Sequence, residues 1–193
     1  MPTMLPEGCL ERFAVDDQVI TALTADGGCR LSNPSPYGGM WAFRHTNAAG
    51  EPVAQAAGVV TVAELFPLTT VSNNVTETLA LLIGLEALPD GWAGKVRSDS
   101  LNALRVFTNL ASDRPHLTAE ILARCRAVGL RLGKFSFELL AGHPTKKELA
   151  LLRVGQVVKS ERGYPYCLHN FWADGACVQA WHDYEGAIHG GQS

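Results

Sequence analysis

A basic excess is the first thing missing. Lys and Arg number 16 against 19 Asp and Glu, a formal net charge of −3, so no overall positive field marks a protein that coats nucleic acid. Long hydrophobic runs are also missing. Charged or turn residues interrupt each apolar stretch well short of the roughly 20 residues a membrane-spanning helix needs. Residues 1–17 hold no basic segment followed by an apolar one, so no secretory signal is read and the expected address is cytoplasmic. The cysteines (Cys9, Cys29, Cys125, Cys167, Cys177) are odd in number and scattered, which argues for free thiols over a disulfide framework. Cys167, His169, Cys177 and His182 lack the spacing of a zinc finger or ribbon. There is no internal repeat and no low-complexity block.

What is present is an ordinary globular composition, 47% hydrophobic over 193 residues, enough for one domain with a sizeable core. The chain is organised around Asn73 to Glu86. Asn74 followed three residues later by Glu77 is close to a capping box, and beyond Glu77 the run is almost wholly apolar. It predicts a central helix, buried on most sides, with one carboxylate at its first turn.

Around that helix the chain reads in order. Residues 1–17 form an arm or short leader, partly disordered, ahead of one main domain over 18–185 and a flexible tail over 186–193. Gln18 to Ala25 is β-rich and runs out into Asp26-Gly27-Gly28, which reads as a glycine turn opening a shaped loop to Gly39. Met40 to Thr46 and Val53 to Val62 are further strands, completing an antiparallel meander. The central helix runs to Leu88, where Pro89-Asp90-Gly91 stops it. Lys95 to Ser98 is a short strand with Asp99 at its end, and a helix follows over Ser100 to Asn109. A loop with Asp113, Arg114 and Pro115 leads to a helix from Thr118 to Val128, then a strand from Lys134 to Leu140 ending at Gly142-His143-Pro144. The segment from Pro144 to Leu168 reads as a basic loop or phosphate-contacting flap, with Lys146, Lys147, Arg153, Lys159 and Arg162 against Glu148 and Glu161. A last helix from Asn170 carries Asp174 on a face shared with Cys177, Val178 and Trp181. The fold class is α/β, with a five-stranded mixed sheet, three strands antiparallel and then two parallel, flanked by helices.

Each acid has a plain structural reading: Glu77 as a cap, Asp26 as a turn residue, Asp99 as an N-cap, Asp174 as a surface acid. Taken together they say more. Asp26 and Asp99 both fall at carboxyl ends of strands that can neighbour one another, which is where such sheets bind ligands, and Glu77 can join them from the helix above. Clustered carboxylates repel, and a fold tolerates that when cations neutralise them. Oxygen-only donors suit magnesium or manganese, and two such ions about 3.5–4 Å apart support phosphodiester hydrolysis.

Five motifs stand in order: Asp26-Gly27-Gly28-Cys29 with Asn33-Pro34 and Pro36-Tyr37-Gly38-Gly39; Asn73-Asn74-Val75-Thr76-Glu77; Ser98-Asp99-Ser100; Gly142-His143; and Asn170-Phe171-Trp172-Ala173-Asp174. Together they span Val19 to Trp181, and in them the chain resembles ribonuclease H of the type 1 class. The resemblance implies a ribonuclease H-like fold acting as a monomer on RNA–DNA hybrid, cutting the RNA strand to leave 5′-phosphate and 3′-hydroxyl ends. It implies two magnesium ions, replaceable by manganese, ligated by Asp26, Glu77, Asp99 and Asp174. Asp26 bridges them, Glu77 and Asp99 serve the leaving oxygen, and Asp174 serves the attacking water. It implies that His143 assists proton transfer or product departure, and that Cys29, Asn33, Asn73, Asn74 and Ser100 touch the hybrid.

The sequence also departs from that pattern. Leu101 replaces a frequent glutamine, Phe171 replaces the usual acid after Asn170, and Pro144 to His169 is longer than usual. If that loop closes short, Glu148 is the rival to Asp174. No tryptophan- and lysine-rich protrusion precedes the last strand, leaving Arg124, Arg126, Arg131 and the basic segment, Lys146 and Lys147 in particular, to grip phosphates. Two alternatives stay open: another nuclease on this scaffold, or a non-catalytic hybrid-binding module.

Overall fold

The structure is a computed structural model that describes residues 5, 6, 8–109 and 114–190. The expectations for 1–4 and 7 of the arm, for Asp113 and for 191–193 of the tail lie outside the described residues. The strands are β1 (Glu11–Arg12), β2 (Ala22–Cys29), β3 (Gly38–Thr46), β4 (Pro52–Thr61), β5 (Lys95–Ser98) and β6 (Ser136–Leu139), and the helices are α1 (Asn73–Glu86), α2 (Leu101–Thr108), α3 (Ala119–Arg131), α4 (Lys146–Arg153) and α5 (Leu168–Gly190). One sheet runs in the order β1-β4-β3-β2-β5-β6. β2, β3 and β4 are antiparallel neighbours, while β5 pairs parallel to β2 and β6 parallel to β5. This is the ribonuclease H-like arrangement, three antiparallel strands and then two parallel, with one strand more than expected. The sixth is the two-residue β1, where Glu11 and Arg12 of the arm pair with Gln55 and Ala54 at the sheet's edge.

Side-chain alternation divides the sheet into two faces. Along β3, Trp41 and Phe43 enter the larger core, with His45 giving Nε2 to the Gly84 carbonyl at 2.9 Å, and Met40 and Ala42 enter a second cluster with Ala173, Cys177 and Trp181 of α5. α1 covers the first face and α5 the other, giving a helix–sheet–helix sandwich. The apolar run of α1 is buried as its composition predicts. Leu79 through Ile83 and Leu85 are fully covered, each large side chain worth roughly 1.5–3 kcal/mol.

Four local readings change. First, β2 starts later and does not end at the glycines. Asp26, Gly27 and Gly28 pair with Ala42, Trp41 and Met40, so they continue the strand. Gly27 is there because α1 crosses it closely. A Cβ at Gly27 would stand 2.4 Å from the Thr76 carbonyl carbon and 2.5 Å from the Glu77 nitrogen. Second, the N-cap position of α1 is Ser72, whose side chain makes no capping bond, and this puts Glu77 on the second turn and frees that carboxylate from capping. Asn33, from the loop after β2, instead takes the Asn73 amide at 3.1 Å. Third, the segment after Pro144 is not a plain loop. Thr145 and Glu148 form a reciprocal capping box that starts α4. Fourth, α5 begins at Leu168 and continues to Gly190, past the residues expected to fray.

Two of the candidate phosphate-gripping arginines are committed elsewhere. Arg124 is buried and forms a two-pronged pair with Glu86. Arg131 donates to the carbonyls of Leu85, Glu86 and Leu88 around the end of α1. No helix among the described residues is long and apolar enough to cross a membrane.

Candidate active site

The register of the central parallel pair sets the site. β2 and β5 are in parallel pairing as far as Thr24 opposite Arg97. Asp26 and Asp99 each lie two residues beyond that last couple, level with one another at the carboxyl end of the sheet. α1 crosses β2 at Gly27 and so brings Glu77 to the same end, while α5 packs across the other face and brings Asp174. Asp26, Glu77, Asp99, Asp174 and His143 line one cavity of about 540 Å³, together with Cys29, Asn33 and Asn73.

The four acids differ in surroundings. Asp26 is buried, at 9% exposure, and its Oδ1 accepts the Gly27 amide at 2.7 Å. Burial first, and then the charge of Asp99, hold its carboxyl well above the usual range, with Asp174 and Glu77 pushing the same way. Burial likewise pushes Glu77 up to about 7, opposed by a hydrogen bond from Ser100 Oγ to its Oε2 at 2.5 Å. Asp99 is also raised by burial and by Asp174, opposed by Asn170 Nδ2, which donates to its Oδ2 at 3.3 Å, and by His143. Asp174 is half-exposed, with His143 Nδ1 3.9 Å from its Oδ2. The mutual repulsion shows that these carboxylates share one electrostatic neighbourhood.

Among the described residues, no three His, Cys, Asp or Glu side chains converge tightly enough to hold an ion as they stand. The reason is local. Asp26 is turned to Gly27, Glu77 to Ser100, and Asp99 to Asn170. By donor chemistry the set still fits a hard divalent cation, being all oxygen, jointly repelling and partly buried on one cavity wall.

The remaining expected residues separate. Asn33 Oδ1 holds the Asn73 amide, and Cys29 Sγ lies 3.0 Å from the Val71 carbonyl, with burial pushing its thiol up to about 11. Ser100 is not open to a substrate. It is 8% exposed, with its hydroxyl spent on the Ala103 amide and on Glu77. Asn74 is turned to Asn102, outside the cavity wall. Glu148, the rival to Asp174, is held by the Thr145 amide and stays away from the cavity. Lys146 and Lys147 are exposed at the start of α4, which follows His143 directly. The cysteine–histidine set does not gather: Cys177 is buried with its thiol donating to the Asp26 carbonyl at 3.5 Å, while His182 is exposed.

Asn170, to which the sequence assigns no role of its own, is the side chain that holds Asp99. Its signal was its place four residues before Asp174 on one helix face.

Similar architecture is found in solved structures. An RNase H1 from the halophilic archaeon Halobacterium salinarum matches 84% of this chain and 97% of its own, at 18% identity and TM-score 0.56. The N-terminal RNase H domain of a Mycobacterium tuberculosis protein, solved as a maltose-binding-protein fusion, matches 87% of this chain and 99% of its own, at 17% identity and TM-score 0.55. LC11-RNase H1, solved in complex with RNA/DNA hybrid, matches 83% of this chain and 98% of its own, at 18% identity and TM-score 0.53. No family model and no curated protein matches the sequence. At these identities the likeness establishes the architecture: the chain has a ribonuclease H-like fold.

Proposed function

We propose that this protein is an endonuclease that hydrolyses the RNA strand of RNA–DNA hybrids, using magnesium, or manganese in its place, held by Asp26, Glu77, Asp99 and Asp174. One observation carries the reading: four acids from separate parts of the chain line a single cavity with His143, and their neighbouring charges help hold Asp26, Glu77 and Asp99 above the usual carboxyl range. Such mutual repulsion is costly unless cations relieve it. When bound, two such ions activate a water and stabilise the leaving oxygen of a phosphodiester.

The chain's own residues supply the rest. Asp26 is the most buried of the four and is anchored by its own strand. Ser100 and Asn170 donate to Glu77 and Asp99, which favours the ionised carboxylates that ligation needs. His143 stands exposed on the loop beside Asp174, where an imidazole can take or return a proton as product leaves. Cys29, Asn33 and Asn73 line the rim, where a 2′-hydroxyl distinguishes RNA from DNA. Lys146 and Lys147 offer charge to backbone phosphates nearby.

Labelled hybrid, duplex RNA and duplex DNA, offered side by side with magnesium, test the reading. The expected result is cleavage of the RNA in the hybrid, leaving 5′-phosphate and 3′-hydroxyl ends. Asp99→Asn should abolish it while hybrid binding persists. Cleavage confined to another duplex would make this a different nuclease on the same scaffold, and binding without cleavage would make it a hybrid-binding module.

A further inference from the structure

Beside the acidic cavity lies a second one, roofed by the segment that made the chain longer than expected. After α4 the chain folds back as a hairpin. Lys159 bridges to Pro165, the Ser160 amide donates to the Tyr164 carbonyl at 2.9 Å, and the Tyr166 amide donates to the Val158 carbonyl at 3.0 Å. The Ala141 amide donates to the Pro165 carbonyl at 2.9 Å, fastening the hairpin to the chain that leads from β6 to His143. Under it is a cavity of about 390 Å³ whose walls include Asp99, Leu101, Leu140, Arg162, Tyr164 and Tyr166. Asp99 lines this cavity and the acidic one alike.

We infer that the hairpin cavity is a subsite for one nucleotide of the nucleic-acid strand whose phosphate is presented at Asp99, with Tyr164 and Leu101 against the base and Arg162 on a phosphate. The inference rests on the nuclease reading above for the phosphate at Asp99, and three observations carry it further. The cavities share a wall, so a strand with a phosphate in the first continues into the second. Tyr164 and Leu101 are exposed, at 40% and 43%, giving an aromatic face and an apolar edge on which a base free of pairing, where the strand leaves the duplex, can stack. Arg162 is exposed and has no acid partner among the described residues, so its guanidinium is available to phosphate. The Tyr166 hydroxyl, by contrast, lies toward Glu148 at the start of α4. Leu101 has no group to bond a base edge, so this subsite grips by stacking and charge with little preference for sequence.

The test is binding of fluorescein-labelled RNA–DNA hybrid with a single-stranded overhang by the full chain in chelator, where no strand is cut, across a series of salt concentrations. Tyr164→Ala should weaken binding about tenfold, within the range base–aromatic stacking is worth, and Tyr164→Phe should restore it. Arg162→Gln should make the slope of log affinity against log salt shallower by about one. Both side chains are exposed, and unchanged melting temperatures will confirm intact folding. If wild type cuts hybrid while the variants bind with unaltered affinity and slope, the subsite is overturned and the nuclease reading survives. If wild type binds but cuts nothing and the variants weaken binding, the subsite stands and the nuclease reading falls. If wild type binds no nucleic acid either in chelator or with magnesium, both fall.

Discussion

Ser100 Oγ lies 2.5 Å from Glu77 Oε2 while accepting the Ala103 amide at 3.2 Å, so one hydroxyl both caps α2 and orients an acid on α1. The bond links two helices on one face of the sheet at the cavity they share. It also bears on protonation, since Glu77 is pushed up to about 7 by burial even against this donor.

Metal-free stability should therefore depend on Glu77 in a defined direction. Its folded pKa is raised above its ordinary value of 4.5, so the neutral acid's contribution is complete below about 4.5 and is lost as pH rises through about 7. In chelator, Glu77→Gln should melt level with wild type at pH 4.5 and a few degrees above it at pH 8. Magnesium should raise the melting temperature of wild type at pH 8, by about 5–10 °C at a hundredfold excess over its dissociation constant, and raise that of the variant less. Melting curves with and without the ion across pH are the check. Parallel curves for the two proteins would contradict it.

Gly27→Ala tests the crossing of α1 over β2. The added methyl would meet helix backbone at 2.4–2.5 Å, and backbone cannot rotate aside. The helix must shift, carrying Glu77 with it. Denaturant unfolding should show a loss of about 2–3 kcal/mol, and cleavage should fall far more than the residual folded fraction explains. A variant as stable and active as wild type would mean the crossing is looser than drawn.

His143 separates function from stability. Its side chain is 82% exposed and its φ is +45°, a left-handed conformation that glycine adopts at less cost. His143→Gly should keep or slightly raise the melting temperature, while His143→Gly and His143→Ala both lower kcat by about tenfold to a hundredfold. Steady-state kinetics beside melting curves will decide, and a kcat equal to wild type would remove His143 from the chemistry.

The order of the acids and the three-plus-two sheet were legible because both are written in local pattern: β-rich runs, glycine turns, and one apolar helix behind an acid. The glycines after Asp26 misled because Gly serves a turn and a close helix approach equally well, and only the position of Thr76, far away in sequence, tells which. α1 starts right after Ser72 and not at Asn74, and its first amide is taken by a side-chain oxygen that Asn33 supplies from another loop, a contact no local rule reaches. β1 was hidden because two residues carry no alternation, and its pairing depends on an edge provided by β4. The capping box at Thr145 and Glu148 was readable, since threonine and glutamate stand three apart before an apolar run, but the surrounding lysines drew attention to charge instead. Arg124 and Arg131 looked like surface cations because burial and the carbonyls at the end of α1 are properties of the folded packing.

The proposed chemistry depends most on Asp26, Glu77 and Asp99 meeting on a divalent cation, and anomalous scattering from a crystal grown with manganese tests that directly. The predicted result is manganese in the cavity, ligated by carboxylate oxygens of Asp26, Glu77 and Asp99, with Glu77 turned from Ser100 and Asp99 from Asn170. Manganese bound elsewhere, with these three side chains still facing Gly27, Ser100 and Asn170, would contradict it.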